Sequence, residues 1–114
     1  TDEQSARPDF AMLIYPWRLA DAKTGDLMPA IQLSQNSPPT FIVHTHDDQS
    51  SSLGAAGVYI ALKKHNVPAE IHIYETGGHG YGTRDRPKSN IGTWSDRALD
   101  WLVNRQLGDR TENK

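Results

Sequence analysis

Two short stretches of this sequence concentrate side chains that can move protons. One is Gly77-Gly78-His79-Gly80-Tyr81-Gly82, a histidine set among glycines. The other is His44-Thr45-His46-Asp47-Asp48, with two histidines and two adjacent carboxylates. An imidazole is the side chain best suited to take and return a proton near neutral pH. A carboxylate on its second ring nitrogen would fix the tautomer and stabilise the imidazolium. Glycine loses much backbone freedom on folding and offers no packing, so glycines on both sides of His79 imply unusual backbone angles and clearance for a neighbouring group. The plainer reading is a flexible glycine loop carrying an exposed histidine, and spacing alone leaves both open.

The elements around these stretches decide whether they meet. Phe10 to Tyr15, FAMLIY, is a continuous apolar run closed by Pro16. Its length suits a strand buried on both faces better than a helix, although Ala, Met and Leu favour helices. Residues 16–39 have no sustained period and contain Gly25, Pro29, Pro38 and Pro39. They read as a long connection with room for one helical turn, in which Trp17, Leu27, Met28 and Ile31 either line a pocket or pack locally. Thr40 to His44, TFIVH, is a second buried strand. A helix is predicted from about Ser51 to His65, with Ala55, Val58, Tyr59 and Leu62 on one face and an N-cap among Ser50, Ser51 and Ser52. Asn66 in the left-handed conformation, Val67 folding back and Pro68 would end it. Ala69 to Tyr74, AEIHIY, is a third strand. A last helix runs from about Thr93 to Gln106, with Trp94, Ala98, Trp101 and Leu102 on one face, and Gly108 stops it.

Strands alternating with helices imply parallel βα units. In open parallel sheets ligands bind beyond the carboxyl ends of the strands. The His44–Asp48 turn follows the second strand and the His79 loop follows the third, so the topology delivers an acid and a histidine to one rim.

Composition narrows the function classes. The 114 residues suffice for one domain, 1–114, with only 36% hydrophobic residues and a mean hydropathy of -0.66. Such a polar chain has little apolar area to spare, a first hint of a partner surface. The net charge is -2, and Lys63-Lys64 reads as a solvated helix face, so neither nucleic acid nor an anionic membrane is an expected partner. There is no cysteine, which excludes disulfides, thiolate catalysis and cysteine-ligated zinc. No apolar run is long enough to span a membrane as a helix. The polar start, Thr1 to Ser5, has no signal-peptide pattern.

The segments PPTFIVHTHDD, YIALKKHNVPAEIHIYETGGHGYG and TWSDRALDWL resemble the C-terminal half of α/β-hydrolase esterases. The nearest group is the acetylxylan and feruloyl esterase-like carboxylesterases, related to dienelactone hydrolases. The resemblance runs from RPDFAMLIYP to the last helix. It implies an α/β fold class: the C-terminal part of an α/β-hydrolase fold, three parallel strands with flanking helices. It also implies hydrolysis of small-molecule or polysaccharide esters by a serine triad, without cofactor or metal. The family's acid matches Asp48 and its histidine matches His79. Asp47 is then a turn-former or surface carboxylate, His44 and His72 are strand residues, and His65 belongs to the helix C-terminus. Trp17 and Tyr81 near the site read as packing groups.

One departure matters. The family carries its nucleophile in a Gly-x-Ser-x-Gly elbow, and no serine here is so flanked. In the family this elbow precedes the strand matching FAMLIY, and the oxyanion-hole segment lies earlier still. The resemblance therefore implies that this chain is a piece, inactive alone. Its expected partner is the nucleophile-bearing N-terminal half, or a second copy occupying the open sheet edge. Family members suggest secretion or the periplasm, which nothing in the chain fixes. Two rival readings compete. His44-x-His46-x-Asp48 resembles part of the metallo-β-lactamase signature and, with His79, could ligate zinc; Gln49 stands where that signature has another histidine. Alternatively, the fold is a non-catalytic remnant or binding module.

Overall fold

A computed structural model describes residues 9–21, 23–29 and 31–105. Three strands form one parallel sheet in the order β1 (Ala11–Ile14), β2 (Thr40–Thr45), β3 (Ala69–Tyr74). Two helices, α1 (Leu53–Lys64) and α2 (Trp94–Asn104), flank it, and a single 3-10 turn over Ile91–Thr93 leads into α2. This is the expected three-stranded parallel α/β unit.

The alternation of side chains along β2 explains its central apolar run, Phe41 to Val43. Phe41 and Val43 point into a core with Trp94, Ala98 and Trp101 of α2. Ile42 points into a second core with Ala55, Val58 and Leu62 of α1. Both faces of the central strand are therefore covered, and every residue of β2 is buried. Strand β1 contributes Met12 and Ile14 to the first core and Leu13 to the second. Its four residues are only partly buried, not fully as the FAMLIY run implied. The reason is the edge position: β1 pairs with β2 alone.

Helix α1 presents the predicted stripe, with Tyr59 at its margin. Its C-terminus follows the expected left-handed stop. Asn66 has φ 60°. The Val67 amide donates to Leu62 O at 2.9 Å and the Asn66 amide to Lys63 O at 3.1 Å. Val67 and Leu62 share the α1 core, which completes the Schellman arrangement. His65 is the C-cap, and Lys63 and Lys64 are exposed as predicted. The N-terminus differs. Ser52 occupies the cap position, but its helical angles (φ -68°, ψ -9°) carry its hydroxyl away from the free amides and it makes no capping bond. Ser51 Oγ accepts from the Leu53 amide instead, at 3.1 Å.

In α2 the predicted face is buried at Trp94, Ala98 and Trp101, with Leu102 against it. The helix ends at Asn104 with Arg105 as its C-cap, short of the expected Gln106, and the expected stop at Gly108 lies outside the described residues. The connection from 16 to 39 contains no helical turn among its described residues. It folds back through an antiparallel bridge, Ala20 to Leu27, closed by Asp21 Oδ1 accepting from the Lys23 and Thr24 amides.

Candidate active site

Strands β2 and β3 end side by side, with Thr45 opposite Tyr74. The two turns that follow therefore leave the same rim, as parallel strands require. Asp48 is buried, and the Ser50 amide donates to its Oδ1 at 2.8 Å. His79 Nδ1 lies 2.7 Å from Asp48 Oδ2. A carboxylate only accepts, so Nδ1 carries the proton and Nε2 is left as the basic nitrogen. The Asp48 side chain is fully shielded while that of His79 is about one third exposed. The pair thus has a buried acid behind a histidine that reaches the surface.

The His79 loop is fastened to the end of β2 by its backbone. Asp47 Oδ1 accepts from the Gly78 amide at 2.8 Å and Oδ2 from the Gly77 amide at 3.3 Å. Thr45 Oγ1 donates to Gly78 O at 2.7 Å. These amide bonds, Gly78 first, hold the Asp47 carboxyl below the usual aspartate range. Adjacent carboxylates therefore divide the work: Asp47 holds the loop and Asp48 meets the ring. Asp47 is more than the surface turn-former expected from sequence. The glycines serve distinct ends. Gly77 adopts φ 140°, and a Cβ there would lie 2.9 Å from both Ile91 Cβ and Thr45 Cγ2. Gly78, Gly80 and Gly82 also have positive φ. Beyond the ring, Arg84 Nη2 donates to Gly80 O at 2.8 Å and Arg86 Nη2 to His79 O at 3.4 Å.

The segment after β1 closes over the ring. Tyr15 and Trp17 pack edge-to-face on His79, with centroids 4.6 and 4.9 Å away. Tyr15 and Arg18 hold left-handed backbone angles, φ 38° and 55°, conformations that persist only where surroundings enforce them. Hydrogen bonds brace the segment: the Tyr15 amide donates to Val43 O at 2.8 Å, and Ser50 Oγ donates to Pro16 O at 3.0 Å and accepts from the Arg18 amide at 2.9 Å. Trp17, expected as a packing group, is half exposed, and with Met28 it lines a cleft of about 490 Å³ together with Arg18, Asp21, Gln49 and Ser50. Leu27 packs at the α1 core instead. Tyr81 is fully buried against Tyr15 in the α2 core, as a packing group, and burial pushes its phenol well above the usual range.

His44 lies at the end of β2, wholly buried. Its Nε2 is 3.1 Å from Asp48 Oδ2 and 2.9 Å from Ser50 O. Burial pushes its pKa down, outweighing the opposing pull of Asp48. In the sequence a histidine closing an apolar strand looked like a packing residue, and nothing in TFIVH signals the contact. Ser50 was visible only as a cap candidate. His72, a strand residue as expected, pairs with Glu70 at 2.7 Å. The rival zinc set is not assembled. Among the described residues no three His, Cys, Asp or Glu side chains converge to hold a metal ion. His44 Nε2 is turned onto Asp48 and Ser50, while His46 is exposed.

No family model matches the sequence, and no curated protein matches it. Solved structures do. The acetyl ester-xyloside bifunctional hydrolase of Caldicellulosiruptor lactoaceticus is similar at 27% identity, over 90% of this chain and 44% of its own, with a TM-score of 0.76. A sugar hydrolase of Lactococcus lactis is similar at 28% identity, over 94% of this chain and 52% of its own, with a TM-score of 0.70. An α/β hydrolase from a Medee basin deep-sea metagenome library shares the fold at 24% identity, over 86% and 44%, with a TM-score of 0.72. The chain spans about half the length of the structures it matches. It has the fold of the C-terminal part of an α/β hydrolase, and it is similar over nearly all of its described length to esterases and sugar hydrolases of that fold.

Proposed function

We propose that this chain supplies the acid and the base of a Ser-His-Asp triad that hydrolyses carboxylic esters, with Asp48 and His79 in those roles. The observation that carries the reading is the 2.7 Å contact between His79 Nδ1 and Asp48 Oδ2 at the rim of a parallel sheet. The serine and the oxyanion-binding amides come from the nucleophile-bearing half of the fold, for which this sequence has no Gly-x-Ser-x-Gly elbow. The serine oxygen attacks the carbonyl carbon while His79 Nε2 takes its proton. The imidazolium, stabilised by Asp48, gives that proton to the departing alkoxide as the ester bond breaks. Water then attacks the acyl-enzyme by the same route and releases the acid. No metal or cofactor enters these steps. The names of two similar structures, an acetyl ester-xyloside hydrolase and a sugar hydrolase, support acylated sugars as the substrate class. The half-exposed Trp17 beside His79 offers a flat apolar face to such a ring.

The test uses the whole protein that joins this chain to its nucleophile-bearing half. A fluorophosphonate probe should label a serine outside residues 1–114. His79→Ala and Asp48→Asn should each lower kcat for an aryl acetate by roughly 10⁴ or more. Absence of labelling would leave a non-catalytic member of the fold, and near-normal turnover by His79→Ala would remove His79 from the reaction.

A further inference from the structure

We propose that His44 is a positioning residue for the triad acid: its Nε2–H, which donates to Ser50 O, also lies 3.1 Å from Asp48 Oδ2, the oxygen that meets His79, and this buried contact holds the carboxylate on the catalytic ring. The inference rests on the reading of Asp48 and His79 as acid and base, and it adds a second histidine to that reading.

The tautomer follows from what surrounds the ring. Nε2 faces two oxygens, Asp48 Oδ2 at 3.1 Å and Ser50 O at 2.9 Å. Both are acceptors, and a bare nitrogen lone pair between them would be repelled by both, so Nε2 carries the proton. Nδ1 is buried with no partner. A proton there would be a buried donor without an acceptor, which is costlier than a bare lone pair in apolar surroundings. The neutral ring protonated on Nε2 is therefore the form that fits. The charged or titratable groups facing it are Asp48 and, beyond it, His79; burial lowers its pKa against the opposing pull of Asp48, and His79 acts in the same direction as burial.

The mechanical consequence concerns rotation of the carboxylate. The Ser50 amide fixes Oδ1 at 2.8 Å. That leaves Oδ2 with His79, whose ring is partly exposed and must change charge during turnover. The N–H edge of a ring with no exposed surface, fixed by its bond to Ser50 O, faces Oδ2 at 3.1 Å independently of the charge on His79. His44 cannot itself be the base, because its protonated nitrogen is turned inward onto Asp48 and its side chain is fully shielded. The same ring accounts for Ser50: its carbonyl receives His44, its amide holds Asp48, and its hydroxyl holds the Trp17 segment.

The experiment compares His44→Leu and His44→Gln in the whole protein. Leu removes the donor; Gln keeps an N–H near the position of Nε2. Misplacing a catalytic group by about an ångström costs roughly 100-fold, so His44→Leu should lower kcat by about 10- to 100-fold with KM within about twofold. His44→Gln should recover most of that loss. Histidine-labelled ¹⁵N spectra of the unsubstituted protein should show His44 protonated on Nε2 and bare on Nδ1 throughout the titration of His79. In His44→Leu, the downfield proton between His79 and Asp48 should broaden or move upfield. A kcat for His44→Leu within twofold of wild type, a Gln variant no better than Leu with both folded, or His44 protonated on Nδ1 would each overturn the proposal. Should His44→Leu not fold, the wild-type spectrum and the Gln variant still decide. Failure of the triad reading looks different: His79→Ala would then stay active, while the His44 tautomer would read as before.

Discussion

Asp47 and Asp48 are neighbours in sequence and identical in chemistry, yet the turn sends one to backbone amides and the other to a ring. The Asp47 carboxylate holds Gly77 and Gly78. Its pKa is depressed by those bonds, and the sign of the linkage follows from that. The anchoring contribution is present above the ordinary aspartate range and is lost as pH falls through the depressed folded value. Asp47 is thus charged at neutral pH, where its bonds to the loop amides are fully present. Because Asp47 is exposed, solvent screens much of this effect. Asp47→Asn keeps one acceptor oxygen and loses the charge. It should reduce kcat by about tenfold, the scale of one weakened hydrogen bond, far below the loss from Asp48→Asn. Steady-state kinetics on both variants check the ranking. Equal losses would mean that the carboxylate on the ring is no more important than the one on the loop.

At the scale of elements, much of the arrangement was legible in the sequence. Phe41-Ile42-Val43 is an unbroken apolar run within TFIVH, which fits a strand covered on both faces, and these three residues are indeed shared between two cores. Asn66-Val67-Pro68 carries its own stop signal because helix termination is local. The meeting of the acid turn and the His79 loop followed from parallel topology. What was not legible joins residues far apart in the chain. The Ser50 hydroxyl reaches Pro16 and Arg18, more than thirty positions away, and no local pattern encodes that. His44 was hidden for another reason: a strand-ending histidine has the same pattern whether it packs or donates. The glycines around His79 were recognised as a group but not individually. Gly77 is the constrained one, since φ 140° and two contacts at 2.9 Å oppose any side chain. Gly77→Ala should displace the loop from Thr45 and Ile91, lowering kcat by more than tenfold with the melting temperature also reduced. Gly80→Ala, with open space around its missing Cβ, should disturb the loop less. A Gly77→Ala variant as active as wild type would show that the loop adapts more easily than its packing implies.

For the molecule as a whole, the two sheet edges differ in chemistry. Among the described residues neither β1 nor β3 has an outer neighbour. The β3 edge carries Glu70 and His72, paired at 2.7 Å, and charge on an edge strand discourages further pairing. The β1 edge is Ala11-Met12-Leu13-Ile14, without a charge to blunt it. The helices are also incompletely covered: Ile60 of α1 and Leu99 of α2 are 52% and 57% exposed. An apolar strand with free amides and carbonyls is a template for another strand. The 114-residue chain by itself is therefore expected to self-associate through β1. Sedimentation velocity should give a coefficient that rises with concentration, and adding the nucleophile-bearing half of the fold should replace the self-associated species with a defined heterodimer. The pairing surface and the rim that carries Asp48 and His79 belong to the same sheet, so under the proposed function restoring the neighbour of β1 should also restore labelling by a serine-directed probe. A folded monomer that survives dilution, with its β1 amides protected from hydrogen exchange, would show that this edge is already satisfied within the chain.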